Sequence, residues 1–75
     1  MKIQGGVALT LRELRERAGL RQVDVAKRLS VDQAAVSKWE NGVNPPHRKY
    51  HKKLAKLYGV TVDELMAAIS YQFCA

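Results

Sequence analysis

The sequence predicts an all-α protein, a compact bundle of five short helices around one core. Three observations predict it. The chain has 75 residues, which is enough for one small domain, and 47% of them are hydrophobic, which is ample for a folded core. Helix caps and glycine stops recur along the chain. The alternation typical of strands is limited to residues 69–73.

The first helix is predicted from local signals at both ends. Thr10 and Glu13 have the spacing of a capping box, so the helix begins after Thr10. Gly19 supplies the stop. Three apolar residues share its inner face: Leu11, Leu14 and Ala18.

The second and third helices are predicted to lie close together at a sharp angle. The second covers residues 22–29 and buries Val23, Ala26 and Leu29, which recur at three-residue steps. Only Ser30 and Val31 separate it from Asp32, a good N-cap residue for a third helix over residues 33–41 that Gly42 ends. A turn this short permits nothing but a sharply angled helix pair.

The third helix has two unlike faces. Val36 and Trp39, three residues apart, form an apolar stripe that belongs to the core. The opposite face is short and polar, with one positive charge; its residues are Gln33, Ala34, Ser37 and Lys38. Amides, hydroxyls and lysine ammonium groups hydrogen-bond the edges of DNA bases. This outer face is therefore a candidate base-contacting surface.

The second half of the chain predicts two more helices and leaves its end open. A loop at residues 44–46 precedes a fourth helix over residues 47–58, with Tyr50, Leu54 and Leu57 inward. Thr61 and Glu64 form a second capping box that opens a fifth helix. Residues 69–73 fit either a short strand or a continued helix. We expect an arm at residues 1–8, a domain at 9–68 and a tail at 69–75, which packs back or, with slight preference, forms a dimer interface.

Charge and composition limit the classes of function. Thirteen Lys and Arg against seven Asp and Glu give a net charge of +6, and all thirteen precede Thr61, which favours a polyanionic partner. No apolar run approaches a membrane span, and the start does not resemble a secretory signal, so we expect a cytoplasmic protein. No pair of catalytic residues, no phosphate loop and no cofactor motif is present, which argues against an enzyme.

Two side-chain features are considered as a metal site and as a nucleophile, and neither is expected to be one. His47 and His51 are spaced as a metal-binding pair on a helix, but no third ligand lies nearby in the sequence, so no metal is expected. Cys74 is the single cysteine, so it cannot form an internal disulfide, and it has no patterned base that would make it a nucleophile.

The chain resembles the lambda-repressor-like, or Cro/XRE-type, helix-turn-helix family over residues 11–65. The resemblance rests on Leu14-Arg15, Ala18-Gly19-Leu20, residues 22–29, Val36-Ser37-Lys38-Trp39-Glu40-Asn41-Gly42, Pro45, Leu54-Ala55-Lys56 and Gly59-Val60. It implies that the second and third helices form the helix-turn-helix. The departures are Ser30 in place of a turn glycine, Asp32 in place of serine, and about one extra residue between Gly42 and Gly59.

The resemblance also implies roles for individual residues. Gln22 corresponds to a glutamine that contacts a phosphate and braces a side chain of the base-reading helix, and Asn41 to an asparagine that contacts the DNA backbone. Asp32 either caps its helix or accepts a hydrogen bond from a cytosine amine. Four residues fall where the family contacts bases: Gln33, Ala34, Ser37 and Lys38. The charge run of the fourth helix, rather than the resemblance, singles out Arg48 and Lys49, nearest the loop, which either attract phosphates or belong to a solvated face.

The function expected from the resemblance is regulation of transcription in a bacterium or phage, by a repressor that binds a two-fold operator in double-stranded DNA as a homodimer. One alternative is an antitoxin that neutralises a toxin partner and also binds its own promoter. Another is a helical domain that serves assembly without DNA. No small-molecule ligand and no membrane partner are expected.

Overall fold

The computed structural model describes residues 9–73. Five α-helices lie in this range, and no strand does. They are α1 (Leu11–Arg17), α2 (Gln22–Leu29), α3 (Gln33–Glu40), α4 (His51–Tyr58) and α5 (Val62–Phe73), with a 3₁₀ turn (Arg48–Tyr50) before α4. The predicted all-α bundle of five helices is confirmed. The predicted arm at residues 1–8 and Cys74 lie outside the described residues.

One apolar core joins all five helices. In α3, Val36 is fully buried and Trp39 is 5% exposed, so the predicted inward stripe of this helix is confirmed. The Trp39 ring lies 5.7 Å, between centroids, from the ring of Tyr50 in the 3₁₀ turn. The other buried apolar residues are Leu11, Leu14, Val25, Ala26, Leu29, Leu54, Ala55, Tyr58, Leu65 and Ala68.

Both predicted capping boxes are present. The Thr10 hydroxyl accepts from the Glu13 amide at 3.1 Å, and the Glu13 carboxylate accepts from the Thr10 amide at 2.8 Å. At the start of α5, Thr61 and Glu64 make the same reciprocal bonds at 3.0 and 2.8 Å. The bonds from Thr10 hold the pKa of Glu13 below its usual value, because they stabilise the charged carboxylate. Local sequence alone therefore places the starts of α1 and α5.

The turn between α2 and α3 has a left-handed residue at its centre. Ser30 has φ 58° and ψ 44°, so a residue with a side chain stands where glycine would be unstrained. Asp32 lies at the N-cap position of α3, but its side chain makes no capping hydrogen bond, so the predicted cap is wrong in that respect. At the other end of α3, Asn41 is the C-cap, which makes the helix one residue shorter than predicted.

The structure corrects two predicted apolar stripes. In α2 the buried residue is Val25, with Ala26 and Leu29, whereas Val23 is only half-buried, since it lies at the edge of the arc that faces the core. The predicted start of the fourth helix at residue 47 is also wrong. Residues 48–50 form the 3₁₀ turn, which shifts the helical phase. The predicted inward Leu54 is buried together with Ala55 and Tyr58, whereas Tyr50 and Leu57 are only partly buried against the core.

The end of the chain continues α5 to Phe73, so the strand alternative for residues 69–73 is wrong. Gln72 packs this last turn back onto the domain. Its side-chain oxygen accepts from the Leu11 amide at 2.8 Å, and its Nε2 donates to the Glu40 carbonyl oxygen at 3.0 Å. One side chain thus joins α5 to the start of α1 and the end of α3. The predicted boundary between residues 68 and 69 falls inside this helix.

Candidate nucleic-acid interface

The outer face of α3 is accessible over most of its length. Gln33, Ala34 and Lys38 are exposed, whereas Ser37 is half-buried. We call these four residues the reading face. An open groove runs beside it between the α2–α3 turn and the loop after α3. The groove is lined by Ser30, Val31, Asp32, Ala34, Ala35, Lys38 and Asn44. The four predicted base-contacting residues therefore lie together on one surface, and Asp32 lies at its edge.

Gln22 joins the start of α2 to the start and end of α3. Its Nε2 donates to a carboxylate oxygen of Glu40 at 3.0 Å. Its side-chain oxygen accepts from Nε2 of Gln33 at 3.3 Å. The bracing of a residue on the base-reading helix, which the family resemblance implies for Gln22, is present in this geometry.

Glu40 forms a nearly buried ion pair with Arg15. The Arg15 guanidinium donates from Nε to one Glu40 oxygen at 2.6 Å and from Nη2 to the other at 3.1 Å. A third bond, from Nη1, goes to the Leu20 carbonyl oxygen at 2.9 Å. The Arg15 and Glu40 side chains are 11% and 4% exposed. Hydrogen bonding to Glu40 raises the pKa of Arg15, because it stabilises the charged guanidinium.

The end of the reading face has its own hydrogen bond. Nδ2 of Asn41 donates to Oγ of Ser37 at 3.1 Å, one helical turn earlier. The Ser37 hydroxyl proton remains available for an acceptor, since the oxygen is the acceptor in this contact. Asn41 is exposed, so its carbonyl oxygen and second amide hydrogen face solvent beside the reading face.

Arg48 and Lys49 lie exposed in the 3₁₀ turn, next to the end of α3. The Lys49 ammonium sits 5.3 Å from the centroid of the Tyr50 ring, the same ring that packs against Trp39. His47 caps the turn, because its Nδ1 accepts from the Lys49 amide at 3.1 Å. These contacts hold the Lys49 ammonium over the ring that packs against Trp39 of α3.

A second cleft surrounds Gln22 and holds two arginines that the sequence did not single out. Its lining includes Arg12, Arg21, Gln22, Gln33 and Asn41. The Arg12 and Arg21 side chains are 68% and 78% exposed, each paired with a carboxylate on its own helix. The bidentate contact with Arg21 lowers the pKa of Asp24 to about 2. Both guanidinium groups flank the residue for which a phosphate contact is expected.

Besides Arg12 and Arg21, three residues of this region were missed as site residues by sequence reasoning. Arg15 and Glu40 were noted only as part of family motifs, and no local pattern joins them, since they are 25 residues apart. Asn44 was assigned to a loop, and the loop brings it to the groove beside Lys38.

The predicted histidine pair is engaged in local contacts. Besides the cap made by His47, Nε2 of His51 lies 3.3 Å from the Pro46 carbonyl oxygen. Residues 9–73 hold no group of three or more side chains suited to a metal ion. In the same range, no helix has both the length and the apolar character to cross a membrane.

Comparison with known proteins identifies the architecture. A family described as "Helix-turn-helix domain" matches residues 7–68. The chain is 39% identical over 57 residues to the HTH-type transcriptional activator BcrR of Enterococcus faecalis, a match covering 76% of this chain and 28% of that protein. It is 34% identical over 61 residues to the HTH-type transcriptional regulator DdrOP3 of Deinococcus deserti, covering 81% of this chain and 47% of that protein. The chain thus matches less than half the length of each relative. No solved structure gives a significant match.

Proposed function

This chain belongs to the helix-turn-helix domain family, and we propose that it binds double-stranded DNA at specific sequences as a regulator of transcription. The observation that carries the proposal is the reading face of α3. It is a polar, accessible surface on the second helix of the motif, with α2 crossing behind it. An α-helix fits the major groove, where each base pair presents a distinct pattern of donors and acceptors.

Base specificity is assigned to Gln33, Ala34, Ser37 and Lys38. A glutamine amide pairs with adenine, a lysine ammonium with guanine, a serine hydroxyl with either donors or acceptors, and an alanine methyl with the thymine methyl. Asp32 lies at the edge of the groove. Its side chain is exposed and makes no capping hydrogen bond, which supports a contact with a cytosine amine over the capping alternative.

Contacts with the DNA backbone are assigned to Gln22, Asn41, Arg48 and Lys49. Gln22 and Asn41 line one cleft with Gln33 at the two ends of α3, and Arg48 and Lys49 are exposed cations in the 3₁₀ turn, which supports these assignments. Phosphate contacts orient a protein on the duplex and contribute most of its salt-dependent affinity. The domain carries the charge for this, since twelve of the thirteen basic residues lie between Leu9 and Thr61.

Selection of bound duplexes from random DNA tests the proposal. The expected result is an enriched motif of a few base pairs for each bound domain, and weaker binding to it by the Lys38→Ala variant. Failure to enrich any sequence, with equal affinity for all duplexes, would overturn specific binding.

We further propose that the chain acts as a homodimer on a two-fold operator. On α5, Val62 and Met66 are one turn apart and 36% and 49% exposed. Neighbouring Ile69 and Phe73 are only partly buried against the core. A second copy covers these apolar residues, and half-sites about 34 Å apart then face the two copies of α3.

Light scattering with and without operator DNA tests the dimer. Met66→Lys places a charge in the proposed interface and is expected to shift the equilibrium toward monomer, with loss of binding to the two-fold site but not to a half-site. Val43→Lys is the matched control, since it adds the same charge at an exposed apolar residue outside α5. Equal association of both variants and the parent chain would remove α5 from the interface.

Repression is the proposed outcome of binding, because a protein seated on a promoter excludes the polymerase. One relative is named a transcriptional activator, so the alternative outcome is activation. Transcription in vitro from a promoter overlapping the selected site decides between them. Fewer transcripts are expected as protein is added, and an increase would contradict repression.

A further inference from the structure

A chain of hydrogen bonds runs from the nearly buried Arg15–Glu40 ion pair to the first residue of the reading face. The Arg15 guanidinium donates both bonds of the pair to Glu40. Gln22 also donates to Glu40, at 3.0 Å, and in turn accepts from Gln33 at 3.3 Å. Four side chains from α1, α2 and α3 are thus connected, with Glu40 as the acceptor for both Arg15 and Gln22.

We infer that Glu40 is a positioning residue that sets which way round the Gln33 amide meets a base. A carboxylate has only acceptors. It therefore compels Gln22 to direct its NH₂ group inward and its oxygen toward Gln33. That oxygen also has only acceptor sites, so Gln33 must direct its own NH₂ group toward Gln22. The inference rests on the proposed function, since it assigns specificity within that interface.

Because Gln22 fixes the Gln33 amide, the amide presents its donor and acceptor to a base in one orientation. One hydrogen of its Nε2 is held by Gln22, which leaves the side-chain oxygen and the second Nε2 hydrogen for a base. Adenine presents the complementary pair in the major groove, N7 as acceptor and N6 as donor. Without the acceptor at Glu40, the amides of Gln22 and Gln33 can each rotate by half a turn, which exchanges donor and acceptor at the base.

Burial makes Glu40 able to act in this way. Its side chain is 4% exposed, so water does not compete for its oxygens, and Arg15 fixes both of them by a bidentate contact. The Glu40 backbone is also held, because Gln72 of α5 donates to its carbonyl oxygen at 3.0 Å. The ammonium group of Lys38, on the same reading face, forms no hydrogen bond or ion pair within residues 9–73, so its base contact is independent of Glu40.

A double-mutant cycle on the selected duplex tests the inference. In the native chain, Gln33→Ala is expected to weaken binding about 10- to 100-fold. In a background carrying Arg15→Met and Glu40→Leu, which replaces the ion pair by apolar side chains and keeps the domain folded, the same change is expected to cost at least about twofold less, because a Gln33 amide that rotates freely is correctly oriented only about half of the time. Lys38→Ala is the matched control and is expected to cost the same in both backgrounds.

Gln22→Leu supplies a second background, in which the ion pair is intact and only the link to Gln33 is cut. Loss of its phosphate contact lowers all affinities alike and leaves the Lys38 cost unchanged. The loss of affinity caused by Gln33→Ala should again be smaller than in the native chain. Equal Gln33→Ala costs in all three backgrounds, or costs for Gln33 and Lys38 that fall together, would overturn the inference.

A measurement without DNA separates this inference from the proposed function. In amide NMR spectra of the free protein, the Gln33 side-chain NH₂ resonances are expected to shift and their two hydrogens to become more alike in the Arg15→Met, Glu40→Leu background, while those of Asn44 stay in place. Unchanged Gln33 resonances would disprove the hydrogen-bond chain whatever the DNA result. Shifted resonances without any DNA specificity in the native chain would instead contradict the proposed function.

Discussion

The reading face of α3 and the basic residues around α4 are both polar and exposed, yet they are built differently. The reading face has one cation. Its Gln33 is connected through Gln22 to the nearly buried Glu40, and its Ser37 accepts a hydrogen bond from Asn41 at the end of α3. The second surface, here called the basic face, carries five cations, and within residues 9–73 none of them forms an ion pair. Its residues are Arg48, Lys49, Lys52, Lys53 and Lys56.

This difference teaches how one small domain divides recognition between two surfaces. A hydrogen bond to a base requires donors and acceptors held within a narrow range of positions, which the network behind α3 provides. Attraction to phosphates requires charge and little orientation, and flexible lysines suffice for it. Substitutions in the two regions should therefore change different measured quantities.

The largest expected effect is on folding, at the support of the reading face. Arg15→Ala leaves the Glu40 carboxylate nearly buried and unpaired, which should lower the free energy of unfolding by about 3 kcal/mol. Lys56→Ala on the basic face should change it by less than about 0.5 kcal/mol. Urea denaturation of both variants measures this contrast. Equal stability of the two variants would mean that the network does not support the fold.

A smaller effect is expected on affinity, at the reading face itself. Lys38→Ala should weaken binding to the selected duplex by about 1–3 kcal/mol and relax the preference at one base pair, since its ammonium group contacts a base edge. Titrations against duplexes substituted at each position measure it. A loss that is the same for every duplex, random DNA included, would place Lys38 on the backbone instead.

A smaller effect on affinity is expected for the loss of a single phosphate contact. Arg48→Ala should weaken selected and random duplexes alike, by about fivefold near 150 mM salt, and reduce the slope of log affinity against log salt by about 0.9. Binding measured at four or more salt concentrations gives the slope. An unchanged slope would remove Arg48 from the interface and narrow the basic face to its remaining residues.

The smallest effect is expected in the turn that joins α2 to the reading helix. Ser30→Gly relieves a left-handed serine and should stabilise the fold by about 0.5 kcal/mol, as the relief exceeds the added freedom of the unfolded chain. The reverse change at the end of α4, Gly59→Ser, places a side chain at φ 70° and should destabilise by about 1 kcal/mol. Thermal unfolding compares them, and changes of the same sign would refute the conformational explanation.

The sequence predicted the parts of the molecule that depend on near neighbours. The capping boxes at Thr10 and Thr61, the α2–α3 turn and the inward Val36 and Trp39 all follow from spacings of three or four residues. Those signals placed α1, α3 and α5, and with them the reading face. The family resemblance added Gln22, whose bond to Gln33 no local rule predicts.

The remaining features depend on contacts between distant residues, so no periodic pattern contains them. Arg15 and Glu40 are 25 residues apart, and Gln72 reaches the amide of Leu11 from 61 residues away. The same holds for the end of the chain. Residues 69–73 alternate in polarity like a strand, but Gln72 anchors them to α1 and α3 as a helix. Packing of the whole domain decides these features.

The most direct test of the division between the two surfaces is one ratio, the affinity for the selected duplex divided by that for random DNA. Two double variants are compared at one salt concentration: alanine at Gln33 and Lys38, and alanine at Arg48 and Lys49. The first is expected to lower the ratio by about 100-fold or more, since two base contacts are lost. The second should lower both affinities and leave the ratio within about threefold of its original value. A ratio that falls equally in both variants would contradict the account.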